Sequence, residues 1–229
     1  MKMVAFECSA TAASCAVCED GVVLGSAFSN VKLTHSQTLM PMLENLLSNT
    51  RLSLSDIDCF AVANGPGSFT GIRIGISAVK GLAAAKNKPC IPVSTLLSMA
   101  MLMKSHKGVI CAVMDARCGQ VYNALFKCDG ENVRRLCDDR AISSEMLKTE
   151  IEKIDGDVII IGDGADMLYD KFRTDNMRLA PPHLRFQNAL GVLLAARAED
   201  AVSHTELLPF YLRLPQAERE LKKRNEDRK

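Results

Sequence analysis

Asn64-Gly65-Pro66-Gly67-Ser68-Phe69-Thr70-Gly71-Ile72-Arg73-Ile74-Gly75 is the stretch that decides how the rest of this chain is read. It follows a strand-length apolar run, Cys59 to Ala63, and opens an apolar segment, Ile72 to Ala85, long enough for a helix. The order is therefore strand, tight loop, helix. Glycines let the loop turn where a Cβ would clash, and Ser68 or Thr70 supplies a side-chain oxygen to cap the helix. Backbone N–H groups at such a helix start suit an anion. The spacing nonetheless matches neither a dinucleotide fingerprint nor a P-loop, because Ile72 stands where the phosphate-reaching lysine would be. From the residues alone, a structural turn, a phosphate contact and a partner contact all stay open.

Composition narrows the class. With 229 residues and 48% hydrophobic content, the chain can bury one large core or two smaller ones. Its 28 Lys and Arg against 27 Asp and Glu leave a net charge of +1, so any RNA contact must be local. No apolar run is long enough to cross a bilayer, and Met1-Lys2-Met3-Val4 enters a strand-like segment rather than a signal sequence. Nine cysteines, mostly in apolar segments, suit reduced thiols in a cytoplasm. Cys15 and Cys18 form the one C-x-x-C, but in a strand they point to opposite faces, so a core role is expected. The four histidines are scattered and no nucleophile elbow occurs, so neither a metal site nor a nucleophile is expected.

Taken in order, Met3 to Glu7, Ala13 to Cys18 and Val22 to Phe28 read as an antiparallel meander, with Asp20-Gly21 as its hairpin turn. The hydroxyl-rich Glu7-Cys8-Ser9-Ala10-Thr11 is either a self-satisfied turn or a phosphate-facing one. Thr34-His35-Ser36 offers a cap, and Leu39, Met42, Leu43, Leu46 and Leu47 mark one helical face. Pro41 predicts that this helix starts near Met40 or bends there. In the helix after the signature, Gly71, Gly75, Ala78, Gly81, Leu82 and Ala85 make a small-residue surface, facing the chain's own sheet or a second subunit. A buried strand, Cys90 to Val93, and a Ser94-capped helix, Leu96 to Met103, complete a β-β-β-α-β-α-β-α unit.

After the polar break at Ser105 to Gly108, runs at Val109–Met114, Val121–Lys127 and Asn132–Leu136 repeat the three-strand pattern, with Asp129-Gly130 as a hairpin. Helices at Glu145–Lys153 and Asp166–Phe172 flank a strand at Val158–Ile161. The repeated element string predicts two similarly folded α/β lobes, residues 1–105 and 106–216, with a cleft between them and a charged tail at 217–229. That tail is either solvated or an RNA-contacting arm. A helix over Asn188–Ala201 and an extended apolar segment, Leu207–Arg213, close the second lobe. The cleft would be lined by Ser9, Thr11, Gly65, Gly67 and Ser68 from the first lobe and by Asp115, Arg117, Asp163 and Gly164 from the second. Asp115-Ala116-Arg117 ends a strand, as a catalytic carboxylate or as a turn-stabilising Asp–Arg pair.

The glycine signature resembles that of the TsaB (YeaZ) family, accessory proteins of bacterial tRNA threonylcarbamoyladenosine (t6A) synthesis. His35-Ser36-Gln37 stands where the family has His-Ser-Glu, and Glu7-Cys8-Ser9 where it has Asp-Thr-Ser. Asp115-Ala116-Arg117 and Tyr211-Leu212-Arg213 match two further motifs. The resemblance implies the two-lobed actin/hexokinase/Hsp70-like fold. It also implies a non-catalytic subunit that scaffolds or activates TsaD, the transferase of threonylcarbamoyl to adenosine 37 of tRNAs reading ANN codons. TsaD holds its metal through a histidine pair, whereas the corresponding Ser94–Met99 segment has no histidine. TsaE, which hydrolyses ATP, and TsaC, which supplies the adenylate, are the implied companions. The family pairs through first-lobe helices with itself or with TsaD, which maps the contacts onto His35, Leu39, Met42, Arg73, Ile76 and Lys80. No cofactor is expected in the chain, apart from ATP or ADP at a subunit interface or in a vestigial cleft at Ser9, Thr11, Gly65, Gly67 and Ser68, and tRNA is met only indirectly or weakly. The rival reading is an autonomous ATP-dependent phosphotransferase of the same superfold, with Asp115 as its carboxylate.

Overall fold

The computed structural model describes residues 1–213, so the charged tail, with the RNA arm expected of it, lies outside the described residues. The chain opens with β1 (Lys2–Glu7), β2 (Ala13–Glu19) and β3 (Val22–Ser29), the last two joined at Asp20 and Gly21. Both turn residues have positive φ, 49° and 82°, as the Asp-Gly hairpin signal requires. Next come α1 (His35–Asn49), β4 (Cys59–Gly65), α2 (Phe69–Lys86), β5 (Cys90–Ser94) and α3 (Thr95–Leu102). The first sheet has the order β3-β2-β1-β4-β5, antiparallel through the meander and parallel from β1 onward.

The second half repeats that arrangement. Its strands are β6 (Lys107–Asp115), β7 (Gln120–Asp129), β8 (Val133–Arg135), β9 (Arg140–Ser143), β10 (Val158–Ile161) and β11 (Met177–Leu179). They run β11-β10-β6-β7-β8, with β9 also paired to β7, so the third strand of the repeat is split in two. The helices are α4 (Ser144–Ile151), α5 (Ala165–Phe172) and α6 (Ala189–Ala195).

Several boundaries differ from expectation for local reasons. α2 begins at Phe69 because the Ser68 side chain accepts the Gly71 N–H. α1 runs through Pro41 from His35, and its Leu39, Leu43, Leu46 and Leu47 are buried, so core packing outweighs the hydrogen bond lost at the proline. Its Thr34 does not cap it and instead donates to Gln37 Oε1. The helix foreseen over Asn188–Ala201 stops at Ala195 and is followed by a 3-10 turn, Ala198–Asp200. β9 and β11 are additional to the reading of the sequence. Both are edge strands of three or four residues, too short to show a period.

Each sheet has an outer and an inner face. On the first, α1 and α2 cover Val4, Phe6, Cys15, Val17, Phe60 and Val62. On the second, α4 and α5 cover Val109, Cys111, Val113, Val158 and Ile160. The inner helices are exchanged between the halves. α6, from the second, packs on Met3, Ala5, Ala16, Cys18 and Ala61 of the first sheet, while α3, from the first, packs on Ile110, Ala112, Met114 and Phe126 of the second. Cys15 and Cys18 therefore do face opposite sides of the sheet.

α3 and α6 meet at Gly191, where an added Cβ would lie 2.2 Å from the Ser98 carbonyl oxygen. Because this crossing holds both lobes, Gly191→Ala is expected to cost about 2–3 kcal/mol by overpacking. A thermal melt should then show one transition, lowered by roughly 5–10 °C. An unchanged midpoint would mean that the crossing is not tight.

Candidate functional site

The lobes leave between them a cleft of about 520 Å³. Its first-lobe wall is the turn after β1 (Ser9, Ala10, Thr11) and the loop into α2 (Gly67, Ser68), with Phe69 and Thr70. The second lobe supplies Met114, Asp115, Ala116, Arg117, Tyr122 and Asp163. Most of the residues expected to line a cleft are thus brought together. Gly65 and Gly164 are not. Gly65 is buried under the chain's last described segment, where an added Cβ would lie 2.1 Å from the Phe210 carbonyl oxygen, and a Cβ on Gly164 would lie 3.0 Å from the Asp115 backbone nitrogen.

The two segments of the first-lobe wall touch through backbone. Ser68 N–H donates to the Ser9 carbonyl at 2.7 Å, and a Cβ on Gly67 would sit 2.5 Å from that same oxygen. One turn later a Cβ on Gly71 would lie 2.0 Å from the Cys8 carbonyl, so only glycine lets α2 dock here. The fold class implies a nucleotide, whose phosphates would need those loop N–H groups. Ser68 N–H is bonded within the chain and Gly71 N–H caps onto Ser68 Oγ. Two of the loop's donors are thereby used within the protein itself.

Asp115 is a turn residue. Its Oδ1 accepts the Arg117 main-chain N–H at 2.7 Å, holding Arg117 and Cys118 at positive φ. The turn-stabilising link between Asp115 and Arg117 is thus made through the Arg117 backbone. Two other acids stand at or next to the cleft, Asp163 in its lining and Glu7 two residues before Ser9. Glu7, at the end of β1, is fully buried, and burial pushes its carboxyl up to about 7, the N–H of Ser9 pulling the other way and the charge of Asp163 adding to the rise. Burial likewise raises Asp163 to about 6, against the Gln187 amide that donates to it at 2.6 Å. Glu7 Oε2, Ser9 Oγ and Gln187 Oε1 are buried with no hydrogen-bond partner among the described residues. The sequence marked Glu7 as the start of a hydroxyl-rich turn and as a departure from a motif, not as a buried acid. An acid closing an otherwise apolar strand was the available signal.

Outside the cleft, α2 turns Arg73, Ser77, Gly81, Ala84 and Ala85 to solvent. The small-residue surface therefore splits. Gly71 and Gly75 face Cys8 and Val62 of the chain's own sheet, whereas a Cβ at Gly81 would meet nothing within 4 Å. Among the expected contacts, Arg73 is exposed and Met42 and Lys80 are half-buried. His35 is also half-buried, and its Nε2 donates to the Ala10 carbonyl at 2.7 Å. Leu39 and Ile76 are corrected. They are 1% and 5% exposed and belong to the first-lobe core, so a charge at Ile76 would report on folding, not association.

The segment after α6 returns along α2. Thr205 O accepts from Lys80 Nζ at 3.5 Å, and the Leu207 side chain is buried in the first-lobe core. Asn64 Nδ2 donates to Leu208 O, and Phe210 N–H to Asn64 O. The Tyr211 ring lies 4.6 Å from Phe69, and its hydroxyl accepts from Arg73 Nε at 2.8 Å. The segment foreseen simply as extended is thus a strap over the signature loop.

The raised Glu7 carboxyl fixes a pH dependence. Unfolded, the group loses its proton near 4.5, whereas folded it holds it to about 7, so stability falls as pH rises through that window. Glu7→Gln should therefore match the parent below the window and exceed it by up to about 3 kcal/mol at pH 8. Melting temperatures of both proteins across pH check this, and parallel curves would refute it.

Comparison with known proteins places the geometry. The family model for tRNA N6-adenosine threonylcarbamoyltransferase, TsaD, matches residues 28–220. The Escherichia coli (strain K12) tRNA threonylcarbamoyladenosine biosynthesis protein TsaB is 31% identical over 93% of this chain and 95% of its own. The Bacillus subtilis (strain 168) protein of the same name is 28% identical over 95% and 96%. The solved structure of YeaZ from Pseudomonas aeruginosa superposes with a TM-score of 0.77 at 25% identity, covering 92% of this chain and 99% of that one. The duplicated strand order is that of the actin/hexokinase-like class. With its signature loop, its two-lobed fold and these relatives along nearly its whole length, the chain belongs to the TsaB (YeaZ) family.

Proposed function

We propose that this chain is a non-catalytic subunit of t6A formation, which binds TsaD through the outer face of its first lobe and holds it in an active arrangement. The observation that carries this reading is the shape of α2. Its inner glycines fix the helix to the sheet, and its outer face presents an unobstructed Gly81 among Ser77, Ala84 and Ala85, where a second helix axis can come close. Arg73, Met42 and the exposed Met40 of α1 extend that surface with one charge and two flexible apolar side chains.

The same face serves for self-association when TsaD is absent, an isologous contact across a two-fold axis. TsaE joins the assembly of the two, and tRNA is met through TsaD. An adenine nucleotide in such a complex belongs at the subunit interface. The assembly works in the cytoplasm. Among the described residues, no helix is long and apolar enough to cross a membrane.

Gly81→Arg separates the interface from the fold. Replacing an exposed mid-helix glycine should leave the subunit as stable or up to about 1 kcal/mol more so. Its bulk and charge should weaken binding to TsaD tenfold or more, as titration calorimetry reads, and t6A formation by the reconstituted set should fall in step. Undiminished binding would remove α2 from the interface. Modification of tRNA at full rate without this chain would remove the subunit role, and turnover of Mg-ATP by the chain alone would favour the phosphotransferase.

A further inference from the structure

We propose that Leu207–Arg213 is a clasp across the rim of the cleft, which couples the exposed face of α2 to the turn after β6 in the other lobe. The clasp is independent of what α2 meets. At the floor of the cleft the lobes are joined by the exchanged helices α3 and α6. Such a floor is a hinge unless the rim is also tied. The clasp provides a rim tie within seven residues. Leu207 is anchored in the first-lobe core, and Phe210 is held by Asn64 and seated on Gly65. Leu212 packs in the second-lobe cluster that contains Met114, Ala116 and Tyr122, and Arg213 Nη1 donates to the Ala116 carbonyl.

Tyr211 is the pivot between these two attachments. Its ring packs on Phe69 at the start of α2, and Arg73, one turn on, donates to its hydroxyl and lies 5.6 Å from its ring centre. Only Leu212 separates it from Arg213, and an interval of two residues spans at most about 7 Å, too little slack for Tyr211 to leave α2 with Arg213 undisturbed. A group that captures the exposed Arg73 guanidinium therefore loosens the turn of the opposite lobe, with no contact to that lobe. Asp115, Ala116 and Arg117 of this turn line the cleft, so the clasp makes the width of the cleft respond to the surface of α2.

Amide hydrogen exchange on the isolated, full-length chain tests the coupling. In Arg73→Ala, which alters only an exposed side chain, the Phe210 amide should exchange faster. So should the Ala116 and Gln120 amides, which bond Gln120 O and Arg117 O across the turn, all by about tenfold or more. The Ile110 and Ala112 amides in the middle of β6 should keep their rates. Tyr211→Phe, which keeps the ring and loses the acceptor, should shift the same amides. So should Arg213→Ala, including the remote Phe210. If Arg73→Ala and Tyr211→Phe speed Phe210 yet leave Ala116 and Gln120 at parental rates, the strap is only a cover for α2 and the coupling is wrong.

Discussion

The close approach of two backbones, α2's first turn against the turn after β1, is the contact on which the rest of this structure depends. Cys8 O lies where a Cβ of residue 71 would be, and Ser9 O where one of residue 67 would be. With the Ser68 N–H bonded to that second oxygen, the loop is fixed to the sheet at several points. No side chain intervenes, so the position of α2 is set by backbone sterics to within a few tenths of an ångström. The outer face of the helix is thereby displayed rigidly, and the first wall of the cleft is closed by main chain.

That contact also takes up one of the loop's backbone donors. Loops of this kind bind phosphate when their N–H groups point at an empty concavity. Here the Ser68 N–H is taken by a carbonyl of the same protein, and two nearby acids, Glu7 and Asp163, are held by Ser9 N–H and the Gln187 amide. Their raised proton affinity is a symptom of the same closure, since both are taken out of water with few donors to replace it.

How much of this the sequence disclosed depended on the length scale of the signal. The glycine spacing, the Asp20-Gly21 turn and the three-and-four pattern of Leu39, Leu43, Leu46 and Leu47 act within one element, and each gave its element correctly. The duplication was legible because each half repeats the same string. The exchange of α3 and α6 was not, because Leu96–Ala100 and Ala189–Ala195 are apolar on most sides and do not say which sheet they cover. For Leu39 and Ile76 the type of residue was informative and its direction was not: periodicity marks a buried stripe, but not whether the burial is against the chain itself. Glu7 was obscured by the apolar run it ends.

The strap is the element least visible in the residues and most informative in the structure. Thr205 to Arg213 has neither helical nor strand period, and the bonds that fasten it to the two lobes reach residues 97 or more positions away in sequence. Long-range order of that kind is entropically costly to form, since each contact closes a large loop, and it persists only where several contacts act together. Here they do: a buried leucine, a two-sided bond to Asn64, an aromatic pair and an arginine share one short segment. Because these attachments lie on both lobes, their cooperativity is also the coupling between them. The segment that seals the signature loop is therefore the one placed to carry information from the surface of α2 to the cleft.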